Sequence, residues 1–308
     1  MSALRRLARG YLRQVMKAPA FLRGLSDRFL KRPRAAREER RRLTALDQQN
    51  YAKVHGLLRD AGYVYEKELF LLPHLLESGA TVFDIGANDG IYAWNLSRLV
   101  GPKGYVVSVE PGRRAFRALK RVVQEEGLTN VRLHRAAVGA ASGKANLYVP
   151  DYTKTAQIDC NGHIEGPRET VEMLTVDELA RRRKITSLAL LKADVEGAEL
   201  LVLRGAQRVL TELKPHLILE LADVHLVKFQ TTGQEILQHL WDLGYRSFEF
   251  GPITRKLHTA ERVTLKGGHT WSRLDEDLST NNYIFVHREK LVVVTQLMSA
   301  PTDQVGVT

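Results

Sequence analysis

VFDIGANDG, residues Val82 to Gly90, is an apolar run that carries one acid, Asp84, into a turn marked by Gly86 and Gly90. It reads as a buried strand, Thr81–Ile85, passing through a tight turn into a helix near Ile91–Val100. Glycine lets a backbone pass close to a ligand and adopt dihedrals closed to other residues. A helix start adds unpaired amide N–H groups. Outward from this point, short β-rich runs alternate with helical patterns. Strands are expected at Tyr105–Val109, Val131–Val138, Leu188–Ala193, Leu217–Leu221, Tyr245–Phe250 and Tyr283–His287. Helices are expected at Arg114–Glu126, at Thr175–Arg183 from an N-cap Thr, at Ala198–Leu213 before Pro215, and at Gly233–Leu243. Ala145–Val149 reads as one arm of a hairpin. This alternation predicts an α/β fold, a mostly parallel sheet with helices on both faces. Ligands of such sheets sit beyond the carboxyl ends of the strands.

Two strand ends carry the polar residues. Tyr105–Val109 delivers Glu110, an acid placed where it accepts the hydroxyls of a ribose. A dinucleotide fingerprint fails here, because Asn88 stands where its second glycine would fall and Asp84 would face a pyrophosphate with like charge. A cationic nucleoside suits these carboxylates better, and S-adenosyl-L-methionine carries both an ammonium and a sulfonium. The second end is LLKADVEGAE, Leu190 to Glu199. Strand alternation puts Lys192, Asp194 and Glu196 on one side. Such charges at the end of a buried strand are costly unless paired or used. One alternative is a structural ion pair from Lys192 to Asp194 or Glu196; the other places Asp194 and Glu196 at the mouth of a cofactor cleft.

The runs VFDIGANDG, SVEP (Ser108 to Pro111), AAVG (Ala136 to Gly139), VEMLTVDEL (Val171 to Leu179), LLKADVEGAELLVLRGA (Leu190 to Ala206) and LILEL (Leu217 to Leu221) occur in this order. Together they resemble the FkbM family of S-adenosylmethionine-dependent methyltransferases over about residues 62–288. The resemblance implies the seven-stranded, Rossmann-like class I methyltransferase fold and methylation of hydroxyl oxygens on sugars or polyketides. It implies that Asp84, Gly86 and Asn88, with Gly90 in the same turn, line the methionine end, and that Glu110 holds the ribose. By the same carry-over Ala137 borders the adenine, and Asp194 and Glu196 border the transfer site. Val176 and Ala193 stand where the family often has Leu and Ile, changes that keep an apolar side chain.

Methyl transfer to an alcohol is an in-line displacement, so orientation supplies much of the acceleration and a positioned base helps remove the hydroxyl proton. The candidates are Asp194, Glu196 and His225, the last just past the strand ending at Glu220. No resident metal is expected, although Asp194, Glu196 and Glu220 are the carboxylates a divalent ion would use. Acceptor contacts are expected from Asp151–Arg168, with Tyr152, Cys160 and His163, and from Ile253–Thr280, with His269 and Trp271.

The formal charge of +11 is unevenly placed. Residues 1–42 hold 14 Lys and Arg against three acids, and residues 43–308 hold 32 of each sign. The body is neutral, which argues against a basic nucleic-acid-wrapping surface. The arm spaces apolar residues from Leu4 to Met16 by three and four, with Arg between them. It suits a solvated extension, a helix on an anionic membrane surface, or an Arg-rich transit peptide. The single cysteine, Cys160, excludes an internal disulfide framework. No apolar run approaches the roughly 18 residues of a membrane span, so a cytoplasmic protein is expected, peripheral at the inner membrane surface if the arm binds lipid. The expected domains are an arm (1–45), lead-in helices (46–80), a methyltransferase domain (81–290) and a tail (291–308). Its partner is then a small-molecule or glycan acceptor. Two rivals are an RNA or protein methyltransferase that grips its polymer with the arm, and a non-catalytic module of cofactor-binding fold.

Overall fold

A computed structural model describes residues 67–148, 157–158, 168–251, 256–263 and 281–298. The basic arm and the lead-in up to residue 66 lie outside these. The described residues form twelve strands: β1 (Thr81–Ile85), β2 (Tyr105–Val109), β3 (Val131–His134), β4 (Ala137–Val138), β5 (Gly143–Tyr148), β6 (Gln157–Ile158), β7 (Arg168–Leu174), β8 (Leu190–Ala193), β9 (His216–Glu220), β10 (Tyr245–Gly251), β11 (Lys256–Thr259) and β12 (Asn282–His287). The main sheet has the order β11-β10-β12-β9-β8-β1-β2-β3. Its half from β9 to β3 is parallel throughout. β12 runs antiparallel between β9 and β10, and β11 folds back on β10.

Strands of this kind need both faces covered, because their backbone groups are spent on the ladder and their side chains alternate between faces. Phe83, Val107, Leu191 and Leu217 fill one side with no exposure, and Val82, Val106, Leu190 and Ile218 fill the other equally completely. Local chemistry starts and stops the helices as the sequence indicates. Thr175 accepts the N–H of Glu178 at the head of the helix Val176–Arg182. Thr232 and Glu235 form a reciprocal capping box ahead of Gly233–Asp242. The helix Ile91–Val100 lies between Gly90 and Gly101, both at positive φ.

Four expectations change. The sheet has eight strands rather than seven, because Lys256–Thr259, read as part of an insertion, pairs with Phe248–Gly251 as an edge strand. Val131–Val138 is not one strand. The chain leaves the main sheet after His134, and Ala137–Val138 joins a second sheet of order β4-β7-β5-β6, itself not foreseen. Ala198–Leu213 is not one helix either. It is helical over Glu199–Arg204 and resumes as a π-helical turn over Val209–Leu213. The break sits at Gly205, where a Cβ would lie 2.1 Å from the Gly139 carbonyl oxygen. The Asp177 carboxylate then accepts the N–H groups of Arg208 and Val209, both at 2.9 Å, and so caps a new start. Lastly, the segment Arg288–Leu297 is a 3-10 helix with Val294 fully buried. Among the described residues no helix is long and apolar enough to cross a membrane.

Candidate active site

β1, β2 and β8 end side by side, and backbone hydrogen bonds lock their tips. Gly86 and Ala87 donate to the Val109 carbonyl at 2.9 and 3.0 Å, and Asp194 donates to Ile85 at 3.1 Å. Gly86 is at φ 76°, and a Cβ there would lie 1.8 Å from the Asp194 carbonyl oxygen. Only glycine lets the two strand ends come this close. Beyond them opens a cleft of about 610 Å3, its open mouth included, bordered by Gly86, Asn88, Glu110, Ala137, Asp194 and Glu196. Ile158 of β6 adds to its wall.

Glu110 is 6% exposed. One carboxyl oxygen accepts the Asn88 N–H at 2.9 Å and the other the Gly112 N–H at 2.7 Å, so it ties the β1 turn to the β2 turn. Each oxygen keeps a further lone pair for a hydroxyl donor. Burial pushes this acid up to about 7 against the opposing pull of those N–H groups. Asn88 stands at φ 45°, and its side-chain Oδ1 is buried with no hydrogen-bond partner among the described residues. Two acids at the other border, Asp194 and Glu196, leave the cleft with hydrogen-bond acceptors on both sides. A nucleoside with hydroxyl and ammonium donors fits that acceptor set.

Asp84 lies one layer lower. It has no exposure, sits outside the cleft border, and neighbours Ser108 and Lys192 in the strand register. Ser108 Oγ donates to it at 3.4 Å and Lys192 Nζ stands 3.9 Å away. Burial raises it to about 6, with Lys192 pulling the other way. The same ammonium donates to Asp194 Oδ2 at 3.2 Å and sits 4.6 Å above the Tyr92 ring. Lys192 is therefore the buried cation that lets two acids occupy the floor and rim together. Gly90, expected in the binding turn, packs against Leu119 at the helix start and does not border the cleft.

The turn after β8 brings Glu196 (φ 58°) against His225, whose Nδ1 is 3.1 Å from Glu196 Oε2 and 3.9 Å from Glu220 Oε2. His225 itself stands behind Glu196 rather than on the cleft border. Glu220 shares a hydrogen bond with Asp194, and burial first, then Asp194, pushes it up to about 10. Glu199 is completely buried, and burial raises it to about 8. Asp194, Glu196 and His225 thus gather within one polar cluster together with Glu220 and Glu199. Among the described residues no group of three such side chains is arranged to hold a metal ion. Glu199 and Lys192 were not singled out as site residues from the sequence. The usable signal was the run of acids after an apolar strand. Tyr152, Cys160, His163, His269 and Trp271 lie outside the described residues.

These acids set a pH dependence. A carboxyl whose folded pKa is raised contributes stability that is fully present below its ordinary value near 4.5 and lost as pH rises through the shifted value. His216, pushed down to about 4 by burial, acts oppositely but only as pH falls below 6.5. Above pH 6.5 the raised carboxyls set the slope. The unfolding midpoint should therefore fall between about pH 6.5 and 8.5, and less steeply in Glu199→Gln, which has no proton to lose. Calorimetry at stepped pH measures this, and a midpoint that is flat or rises contradicts it.

The family described as Methyltransferase FkbM domain matches residues 84–247. Methyltransferase 1 of Beauveria bassiana is 26% identical over 161 residues, covering 46% of this chain and 64% of that protein. Protein-L-isoaspartate O-methyltransferase of Thermotoga maritima is 45% identical over 56 residues, 18% of each chain. This chain thus spans less than two thirds of the length of either relative. The crystal structure of Methyltransferase FkbM from Methylobacillus flagellatus is similar over 71% of this chain and 47% of that one, at 18% identity and a TM-score of 0.45.

Proposed function

The chain belongs to the Methyltransferase FkbM domain family, and from that premise we propose that it methylates a hydroxyl oxygen on a small-molecule or glycan acceptor, with S-adenosylmethionine as donor. One observation carries this reading: Glu110 and the pair Asp194 and Glu196, from strands on either side of β1, border a single cleft. Fold likeness alone would not support it.

In this reading Glu110 accepts the ribose hydroxyls with the lone pairs its backbone bonds leave over, and Asn88 Oδ1 accepts an ammonium N–H. Ala137 gives a small, flat wall for a base. When bound, S-adenosylmethionine supplies a methyl carbon on a positively charged sulfur, a donor that needs no activation by the protein. What remains for the chain is to orient the acceptor and take its proton. Glu196 meets the cleft and is backed by His225, so the Glu196–His225 pair receives the hydroxyl proton. Asp194, engaged by Lys192 and Glu220, stays in place as a fixed acceptor of hydrogen bonds.

The test is a screen with methyl-labelled donor against sugars, glycolipids, polyketide-like alcohols and RNA, paired with titration calorimetry of the donor. Donor binding and label on an ether oxygen support the proposal. Label confined to RNA or to protein transfers the function to the polymer class. No binding heat removes the methyltransferase reading altogether.

A further inference from the structure

The turn that presents Glu196 is held from beneath. Glu199 follows it by three residues and has no exposed surface. Its Oε1 accepts two backbone N–H groups, from Val195 at 3.0 Å and from Gly197 at 3.3 Å. These are the residues on either side of Glu196. Between them Glu196 adopts φ 58°, a left-handed conformation that is unfavourable for a residue with a Cβ and persists only where the surroundings enforce it. On its far side the turn meets the segment bearing His225: a Cβ on Gly197 would stand 2.3 Å from the His225 carbonyl oxygen. Glu196 is thus fixed between an acceptor below and the His225 backbone beside it.

We propose that Glu199 is a positioning residue for the proton-accepting pair: its Oε1 gathers the N–H groups flanking Glu196 and so holds the Glu196 carboxylate against His225 Nδ1. This rests on the reading of Glu196 and His225 given above. Without Glu199 two N–H groups, that of Gly197 buried and that of Val195 partly so, lose their acceptor, and the turn relaxes toward the right-handed conformation that a glutamate prefers. The carboxylate then leaves the imidazole. Glu199 touches neither acceptor nor donor, so its loss acts on the geometry of the pair. Two N–H donors need an oxygen rather than a charge, so the amide of glutamine should serve.

The experiment uses the full chain with 15N-labelled histidine, as wild type, Glu199→Ala, Glu199→Gln and, to identify the signal of a broken pair, Glu196→Gln. In Glu199→Ala the ring 15N resonances of His225 should move toward their positions in Glu196→Gln. Its kcat should fall about 100-fold, the scale of a misplacement of about 1 Å, while donor affinity is kept. Glu199→Gln should return the resonances to the wild-type positions and recover most of the lost kcat. The proposal is overturned if Glu199→Ala leaves the His225 resonances in place, if Glu199→Gln behaves like Glu199→Ala, or if donor affinity falls along with kcat. Should Glu199→Ala not fold, Glu199→Asp, whose shorter side chain withdraws the oxygen from the turn, takes its place with the same expected signals. Because the resonances read the Glu196–His225 contact directly, they answer even if the wild type transfers no methyl group. That second failure would count against the function alone.

Discussion

Glu196→Gln lowers kcat by about 100- to 10,000-fold, the range spanned by a positioned base, and leaves donor affinity unchanged. Glu196 borders the cleft on the β8 side, whereas the groups assigned to the donor stand on the β1 and β2 turns and at Ala137 of β4. Glutamine keeps the size of the side chain, so the fold is spared, but it brings no carboxylate to His225 Nδ1 and the pair is broken. What it loses is the capacity to share the acceptor's proton with the imidazole. His225→Ala should cost activity too, and the double variant less than the product of the two losses, because residues that act as a unit are not additive. Steady-state rates with a responsive acceptor, alongside calorimetry of the donor, decide the matter. A variant with wild-type kcat would remove Glu196 from the chemistry and turn attention to Asp194.

Gly86→Ala has a different and larger structural effect. The added methyl must enter a space 1.8 Å from the Asp194 carbonyl oxygen, and the residue must keep φ 76°. The left-handed backbone costs about 1–2 kcal/mol and overpacking about 1–3 kcal/mol more. The obstacle is main chain, which cannot rotate aside as a flexible side chain can. β1 and β8 must therefore part at their tips, and Asp194 moves with them. We expect a loss of about 2–5 kcal/mol in unfolding free energy and no measurable donor binding in the molecules that remain folded. Chemical denaturation gives the first and calorimetry the second. Near-native stability with intact affinity would show that the strand ends tolerate separation.

Much of this could be read from the sequence because its causes are local. The limits of the helices Ile91–Val100, Val176–Arg182 and Gly233–Asp242 are marked by residues within a turn of each end: Gly90 and Gly101, Thr175, and Thr232 with Glu235. The meeting of Glu110 with Asp194 followed from a rule about parallel sheets that needs only the strands and their order. What could not be read depends on distant partners. The break within 198–213 comes from the Gly139 carbonyl and the Asp177 carboxylate, neither of them near in sequence. The second sheet is built from β5 and β7, whose outward residues are charged or polar and whose apolar signal is thin. The resemblance places Asp84 at the methionine end, but its buried partner Lys192 comes from a strand register set across a long stretch of chain, which no local pattern shows. The role of Glu199, as distinct from its place in a run of acids, is not legible because it works through main-chain N–H groups, which every residue but proline has.

The strand order also bears on how the molecule is made. β12 lies between β9 and β10, although both precede it in the chain. While a ribosome is still adding residues up to Thr280, two finished strand edges face each other with nothing to pair with. Such edges invite pairing with other chains. A truncation before Asn282 would leave this gap permanent, with Leu217–Leu219 open on one side and Phe248 on the other. Cells producing shortened forms of this protein should accumulate them as insoluble material, however intact their cleft residues are.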